Sequence, residues 1–321
     1  MNKIEEKISL IIDTDMAYGS KDADVDDCLA LLMALNNPNF DIKAITAVGG
    51  NVPPQMASYN IDSLLKELKI DIPHSYSCAN PLDRNMWINC RWLKRKNELP
   101  KKQLSLPSSV ALLEKTLIES QEKITIVAIG PLTNLAILLT EKPFLVKKIN
   151  KVCIMGGTQN EIGVDDLPIE FNFRGDPEAA NLVLGVEGLN VEIFPLEITK
   201  KQAMKPQDIE KWSERGFINR IKISLRAYMD YRSKKFGFNE PFSYFHDVLP
   251  IVSLLDKKLF QMEDCYCTVD SQGKYTKGSL ILDRKIVKGK ESRHKIVVDG
   301  NCKEVLKKIL KEIPSKWEEI K

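Results

Sequence analysis

Short unbroken apolar runs alternate along this chain with stretches in which apolar residues return every three to four positions, the two periods that separate strands from amphipathic helices. Residues 8–12 predict a first strand, and residues 27–36 a helix with Leu29, Leu31, Leu32 and Leu35 on one side. The same reading predicts strands over 42–48, 124–129, 151–155 and 191–199, and helices over 54–69, 132–141 and 176–185. Such βαβα alternation is the pattern of an α/β fold with a mainly parallel central sheet flanked by helices on both faces.

Beyond residue 200 the pattern changes. Residues 202–247 read as mostly helical, and residues 265–283 alternate like a β-meander. Val305, Leu306, Ile309, Leu310 and Ile313 recur at helical spacing near the end of the chain, opposite a lysine-rich face. That face is compatible with a membrane surface, but a docked terminal helix is the simpler expectation. No repeat, low-complexity stretch or linker interrupts the chain, so residues 1–321 read as one domain.

Composition narrows the classes. The 321 residues are 43% hydrophobic and 28% charged, with a net charge of +3. The basic residues are scattered among acids, not gathered on one face, which argues against nucleic acid as a partner. No run approaches the ~20 apolar residues needed to cross a bilayer. The N-terminal apolar run is short and preceded by acids, unlike a signal peptide. Seven cysteines without C-x-x-C spacing favour reduced thiols over a disulfide framework or zinc site, and hence a cytoplasmic location.

Candidate chemistry lies where the predicted strands end, because an open parallel sheet binds ligands beyond its carboxyl edge. The strands lead into Asp13-Thr14-Asp15, Gly49-Gly50-Asn51, Gly130-Pro131-Leu132-Thr133-Asn134 and Met155-Gly156-Gly157. Residues 11–31 alone hold six aspartates. Two carboxylates ~4 Å apart repel by roughly 4 kcal/mol at an effective dielectric of 20, so converging acids need protons, arginines or a metal. Asp, Thr and Asn oxygens suit a hard cation such as Ca²⁺ or Mg²⁺. The plainer alternative is that these acids cap the helix at Asp27 and face solvent. An EF-hand is excluded, since counting from Asp22 puts Asp27 where Gly is needed and Met33 where Glu is needed. The opening "LIIDTD" also resembles haloacid-dehalogenase-type Mg²⁺ phosphatases, in which Asp13 would be a nucleophile and Asp15 a general acid. Ala17 stands where they carry Thr or Val, however, and Gly175-Asp176 lacks the expected following acid.

Six ordered motifs carry a broader resemblance: "DTD…DVDD", "VGGN", "GPLTNLA", "MGG", "EFN…DPEAA" and "FHD", spanning residues 8 to about 284. In these the chain resembles the inosine–uridine-preferring nucleoside hydrolases, with "MAYGSKDA" as an insertion in the first loop. The resemblance implies the Rossmann-like nucleoside hydrolase fold and a Ca²⁺ held by Asp15, Asp27, the main-chain carbonyl of Thr133, and Asp247. It implies that Asp26, Asn51, Glu170 and Asn172 hold the ribose, that Met155 lines its pocket, and that Asp13 flanks the site.

By the same resemblance Asp15 takes the proton of the attacking water. His246 matches the acid that assists the leaving base, a role suited to an unperturbed pKa of about 6.5. Tyr228 and Arg232, one helical turn apart, either contact the base or solvate their helix. Asp176 reads as a helix cap before Pro177. Two departures touch specificity. Trp87 and Trp92 occupy a region where relatives carry a His-Gly pair. Val164 stands near the position of an Asn that contacts the ribose 5′-hydroxyl, which leaves modified 7-deazapurine nucleosides or a nucleotide open as substrates. The expected function is Ca²⁺-dependent hydrolysis of ribonucleosides to ribose and free base for salvage, by a homodimer or homotetramer. The alternatives are the phosphatase and a non-catalytic nucleoside-binding relative.

Overall fold

The first apolar run forms β1 (Ile8–Thr14), and its alternation divides it between two cores: Leu10 and Ile12 enter one cluster, Ile11 the other. In this computed structural model, which describes residues 7–20, 23–76, 80–82, 104–201, 203–284 and 294–317, β1 is followed by α1 (Asp26–Asn36), β2 (Phe40–Ala47), α2 (Pro54–Leu68) and α3 (Ser109–Glu119). Next come β3 (Ile124–Ala128), α4 (Thr133–Glu141), β4 (Ile149–Met155), α5 (Phe171–Gly175), α6 (Pro177–Gly185), β5 (Val191–Phe194) and α7 (Leu196–Thr199). β6 (Ala203–Met204) precedes α8 (Gly216–Phe236), and β7 (Ser243–Tyr244) follows it. Then follow α9 (Val248–Leu255), β8 (Phe260–Val269), β9 (Leu280–Asp283), β10 (His294–Gly300), α10 (Cys302–Glu312) and the short α11 (Pro314–Trp317).

The main sheet runs in the order β2-β1-β3-β4-β5-β10-β8-β9. Its first six strands are parallel, while β8 pairs antiparallel with both β10 and β9. The chain therefore winds outward from β1 in two directions, to β2 on one side and β3 on the other. Crossovers that diverge in this way leave a crevice at the carboxyl ends of the strands where the winding reverses. Here that point lies between β1 and β3, under Asp13–Asp15 and Gly130–Thr133. The cores on the two faces hold the sheet rigid beneath it: each buried Leu or Ile contributes roughly 1.5–3 kcal/mol, and Leu10, Ile11, Ile12 and Ile126 are all fully buried.

The structure revises several predicted boundaries. β1 runs past residue 12 to Thr14, with Asp13 paired to Thr46 of β2 and Ala128 of β3. The polar residues are thus part of the ladder and not of a loop. The strand predicted over 191–199 stops at Phe194, because Pro195 has no N–H for the ladder; residues 196–199 turn into α7. The mostly helical reading of 202–247 holds for Gly216–Phe236, where Gly237 at φ 69° supplies the left-handed cap, and for a 3-10 turn at Pro206–Ile209. The flanks pair as β6 and β7. The meander is present, and its first strand begins earlier, at Phe260. The terminal helix docks: Val305, Ile309 and Ile313 are fully buried. Among the described residues no helix is long and apolar enough to cross a membrane.

Candidate active site

Asp13 sits inside β1, fully buried. Its Oδ1 accepts from Thr46 Oγ1 at 2.5 Å and Asn134 Nδ2 at 2.8 Å, while Oδ2 has no partner among the described residues. Burial raises its pKa to about 7, against the two hydrogen bonds that lower it. Asp13 is therefore a sealed support for the strand end, not the accessible nucleophile that the phosphatase reading needs.

Asp15 follows directly, where the chain leaves the strand. One oxygen accepts the backbone N–H of Asn51, and a Cβ on Gly50 would stand 2.1 Å from that oxygen. The absence of a side chain at Gly50 is what lets the carboxylate lie against the backbone of the "VGGN" turn. Asp27, in the first turn of α1, accepts from Thr14 Oγ1 and, at 3.3 Å, from Asn51 Nδ2. The Asp15 and Asp27 carboxylates lie close enough to interact electrostatically. Burial and then the charge of Asp27 raise the Asp15 pKa well above the usual range, and burial lifts Asp27 to about 6.

Asp26 links this group to a segment 220 residues away: its Oδ2 accepts the backbone N–H groups of His246 and, at 3.0 Å, of Asp247. Its Oδ1 is buried without a partner among the described residues. Asp247 precedes α9 and is itself buried. Burial, then the charges of Asp26, Asp27 and Asp15, raise its pKa well above the carboxylate range. Four carboxylates thus converge at the switch point, and the reading in which they only cap α1 and face solvent is overturned by their burial, at 0–6% exposure. Among the described residues no lysine or arginine pairs with them, and no three acidic, His or Cys side chains are drawn into a ready-made metal cage. The donors are all oxygen, one of their atoms, Asp26 Oδ1, is buried without a partner among the described residues, and no lysine or arginine among those residues offsets the charge, which fits a hard divalent cation.

Around the acids lie the other predicted residues. Glu170 caps α5, its carboxylate accepting from the N–H groups of Asn172, Phe173 and Gly157 at 2.7–3.0 Å. Asn172 Nδ2 in turn donates to the carbonyls of Ile129 and Met155, both at 3.1 Å, and to Met155 Sδ. Glu170, Asn172 and Met155 thereby form one unit that ties together the ends of β3 and β4. Thr133 opens α4, and its hydroxyl is committed to Asp176 Oδ2 at 2.7 Å. Asp176 also caps α6 through Ala179 N–H at 3.1 Å, as expected.

His246 is held by its main chain on Asp26 and by Nδ1 against Thr199 Oγ1 at 2.7 Å. The ordinary pKa expected from sequence is corrected: burial, then the charges of Arg232 and Lys200, lower it to about 3, so the imidazole is neutral near pH 7. Tyr228 does not simply solvate α8, since its hydroxyl donates to Asp24 Oδ2 at 2.5 Å. The Arg232 guanidinium lies 5.4–5.9 Å from the ring centres of Tyr228, Phe238, Phe242 and Tyr244, and Tyr244 leads to His246 at 5.6 Å. Trp87 and Trp92 lie outside the described residues.

Thr46, Thr199 and the rings of Phe238, Phe242 and Tyr244 were not singled out from the sequence. Thr46 and Thr199 are ordinary residues whose partners, Asp13 and His246, lie 33 and 47 positions away, and the three rings lie 6 to 12 positions beyond Arg232.

Buried acids and amides gather at the switch point of a doubly wound sheet, and comparison with known proteins identifies the class as a hydrolase acting on N-glycosyl compounds. Residues 10–307 match the family described as inosine-uridine preferring nucleoside hydrolase, and the chain belongs to that family. It is 33% identical over 288 residues to the pyrimidine-specific ribonucleoside hydrolase RihA of Escherichia coli O81, covering 85% of this chain and 90% of that protein. The RihA of Salmonella arizonae is also 33% identical, over 91% of this chain and 94% of its own length. Among solved structures, a plant nucleoside hydrolase superposes with a TM-score of 0.78 at 24% identity, covering 96% of this chain and 99% of that one. A purine-preferring ribonucleoside hydrolase from Gardnerella vaginalis does so at 0.79 and 20% identity, over 95% and 98%. These two share the fold.

Proposed function

We propose that this enzyme hydrolyses the N-glycosidic bond of ribonucleosides in a Ca²⁺-dependent reaction, releasing ribose and free base. The observation that carries the reading is the meeting of Asp15, Asp26, Asp27 and Asp247, from both ends of the sequence, at the switch point of the sheet. Asp15, Asp27, Asp247 and the carbonyl of Thr133 are the oxygens that would hold the cation. Bound there, a divalent ion supplies the missing counter-charge and lowers the pKa of a neighbouring water.

The chain's own residues do the rest. Asp26, with one oxygen uncommitted, and Asn51 face the ribose hydroxyls, and the Glu170–Asn172–Met155 unit walls the sugar pocket. Water attacks the anomeric carbon, its proton passes to Asp15, and the C–N bond breaks with its electron pair going to the base. The proton taken by Asp15 balances the one the departing base gains. Positive charge that develops on the sugar is stabilised by the surrounding carboxylates and amide oxygens at low dielectric. His246 offers an N–H to the leaving base, and the collar around Arg232 supplies aromatic faces and a cation beside it.

Pyrimidine ribonucleosides head the substrates to test, because relatives at 33% identity bear that specificity in their name. A panel of pyrimidine, purine and 7-deazapurine ribonucleosides and their 5′-phosphates, assayed for reducing sugar, tests the reading. Release that a chelator abolishes and Ca²⁺ restores supports it. Phosphate release without free base, tight binding without turnover, or indifference to chelator overturns it. Asp15→Ala is expected to abolish turnover, whereas His246→Ala slows natural nucleosides more than a riboside with an activated leaving group. The five described cysteines Cys28, Cys153, Cys265, Cys267 and Cys302 are free thiols, which supports a reducing cytoplasm. Light scattering is expected to report a homodimer or homotetramer.

A further inference from the structure

We propose that the Thr199 hydroxyl is a positioning group that holds His246 as its Nε2–H tautomer, with that N–H turned toward the departing base; the inference rests on the hydrolase reading above. Thr199, the last residue of α7, is 1% exposed, so its hydroxyl hydrogen needs an acceptor inside the protein. Among the described residues the acceptor is His246 Nδ1, at 2.7 Å. A hydroxyl that donates to Nδ1 leaves that nitrogen bare, and a neutral imidazole then carries its hydrogen on Nε2.

The other nitrogen is placed to use it. Nε2 has no hydrogen-bond partner among the described residues and is not one of the sealed, unpartnered atoms. Ring position is set from two further sides: the His246 main-chain N–H is held by Asp26 Oδ2, and Tyr244 packs on the ring with centroids 5.6 Å apart. The opposite tautomer would turn two donors, Nδ1–H and the threonine hydroxyl, on one another, or leave the hydroxyl hydrogen buried without an acceptor. Either arrangement leaves a buried donor without an acceptor, which selects one tautomer.

The test uses Thr199→Val, which keeps the shape and removes the donor, and Thr199→Ser, which keeps the hydroxyl. The chain has three histidines, so ¹⁵N spectra of histidine-labelled protein resolve each ring; His246→Gln identifies the signal. Wild type and Thr199→Ser are expected to show a bare Nδ1 and a protonated Nε2, and Thr199→Val a mixture of tautomers. Thr199→Val is expected to lower kcat/KM for natural nucleosides about tenfold, while a p-nitrophenyl riboside, whose leaving group needs no N–H, stays within about twofold. A protonated Nδ1 in the wild type overturns the proposal, as does a Thr199→Val enzyme with an unchanged tautomer or equal losses on both substrates. If Thr199→Val fails to fold, the wild-type spectrum alone decides. If the wild type cleaves neither substrate, the hydrolase reading fails while the spectrum still judges the tautomer.

Discussion

Gly50→Ala concentrates the logic of the site in one methyl group. The new Cβ would stand 2.1 Å from Asp15 Oδ2 and 2.9 Å from both Asp15 Cγ and Pro131 Cδ. Real contacts of this kind do not fall below about 3 Å, so the carboxylate must retreat by ~1 Å, and Pro131 blocks the methyl from yielding the other way. The Asn51 N–H bond to Asp15 is lost with the same movement. A displacement of ~1 Å in a reacting group costs about 10²-fold in rate, or ~2.7 kcal/mol. Overpacking destabilises the fold by roughly 1–3 kcal/mol, offset by about 0.4–1 kcal/mol because alanine restricts the unfolded chain. Gly185→Ala is the control: nothing lies within 4 Å of its added Cβ, at the end of α6. It should be neutral or stabilising by up to ~1 kcal/mol, with unchanged kinetics. The assay pairs reducing-sugar release with urea unfolding. A Gly50→Ala enzyme that keeps kcat/KM within about threefold of wild type would show that Asp15 does not need its place against that turn.

Two further predictions reach beyond the acids. Tyr228→Phe removes the hydroxyl that satisfies Asp24 Oδ2, while Asp24 Oδ1 still receives the N–H groups of Val25 and Asp26 at the start of α1; a loss of about 1–2 kcal/mol in urea unfolding is expected. A double-mutant cycle with Asp24→Asn should show coupling above ~0.5 kcal/mol, and additive effects would count against the latch. Glu192 lies between Lys151 at 2.8 Å and Lys257 at 3.1 Å. Burial pushes its pKa up, but the two lysines outweigh burial and bring it below the ordinary value. A lowered folded pKa means that the stabilisation is complete above the unfolded value of about 4.3 and is lost as pH falls through the folded one. Glu192→Gln should therefore destabilise by ~1–2 kcal/mol at pH 7, the lysines being partly exposed. Its deficit should shrink as pH falls below the unfolded value, and a deficit that does not change with pH would assign the effect to packing.

Much of this enzyme is legible along the chain because the relevant physics is local. The period of apolar residues within ten or fifteen positions separates strands from helices, and that alternation restricts the sheet to a parallel one with loops gathered at one edge. Asp15, Asp27, Asn51 and Thr133 all fall within a few residues of a strand or helix end, so their presence at that edge follows from the order of elements. What only the tertiary structure decided depends on register and on contacts across long separations. Asp13 is a buried support because β1 pairs it beside Thr46 and Ala128. Asp26 spends one oxygen on the backbone of residues 246 and 247, Thr199 meets His246 across 47 positions, and Tyr228 meets Asp24 across 204. Hydrogen-bond direction and burial at such sites are set by how the elements pack, and neither spacing nor composition within one segment carries that information.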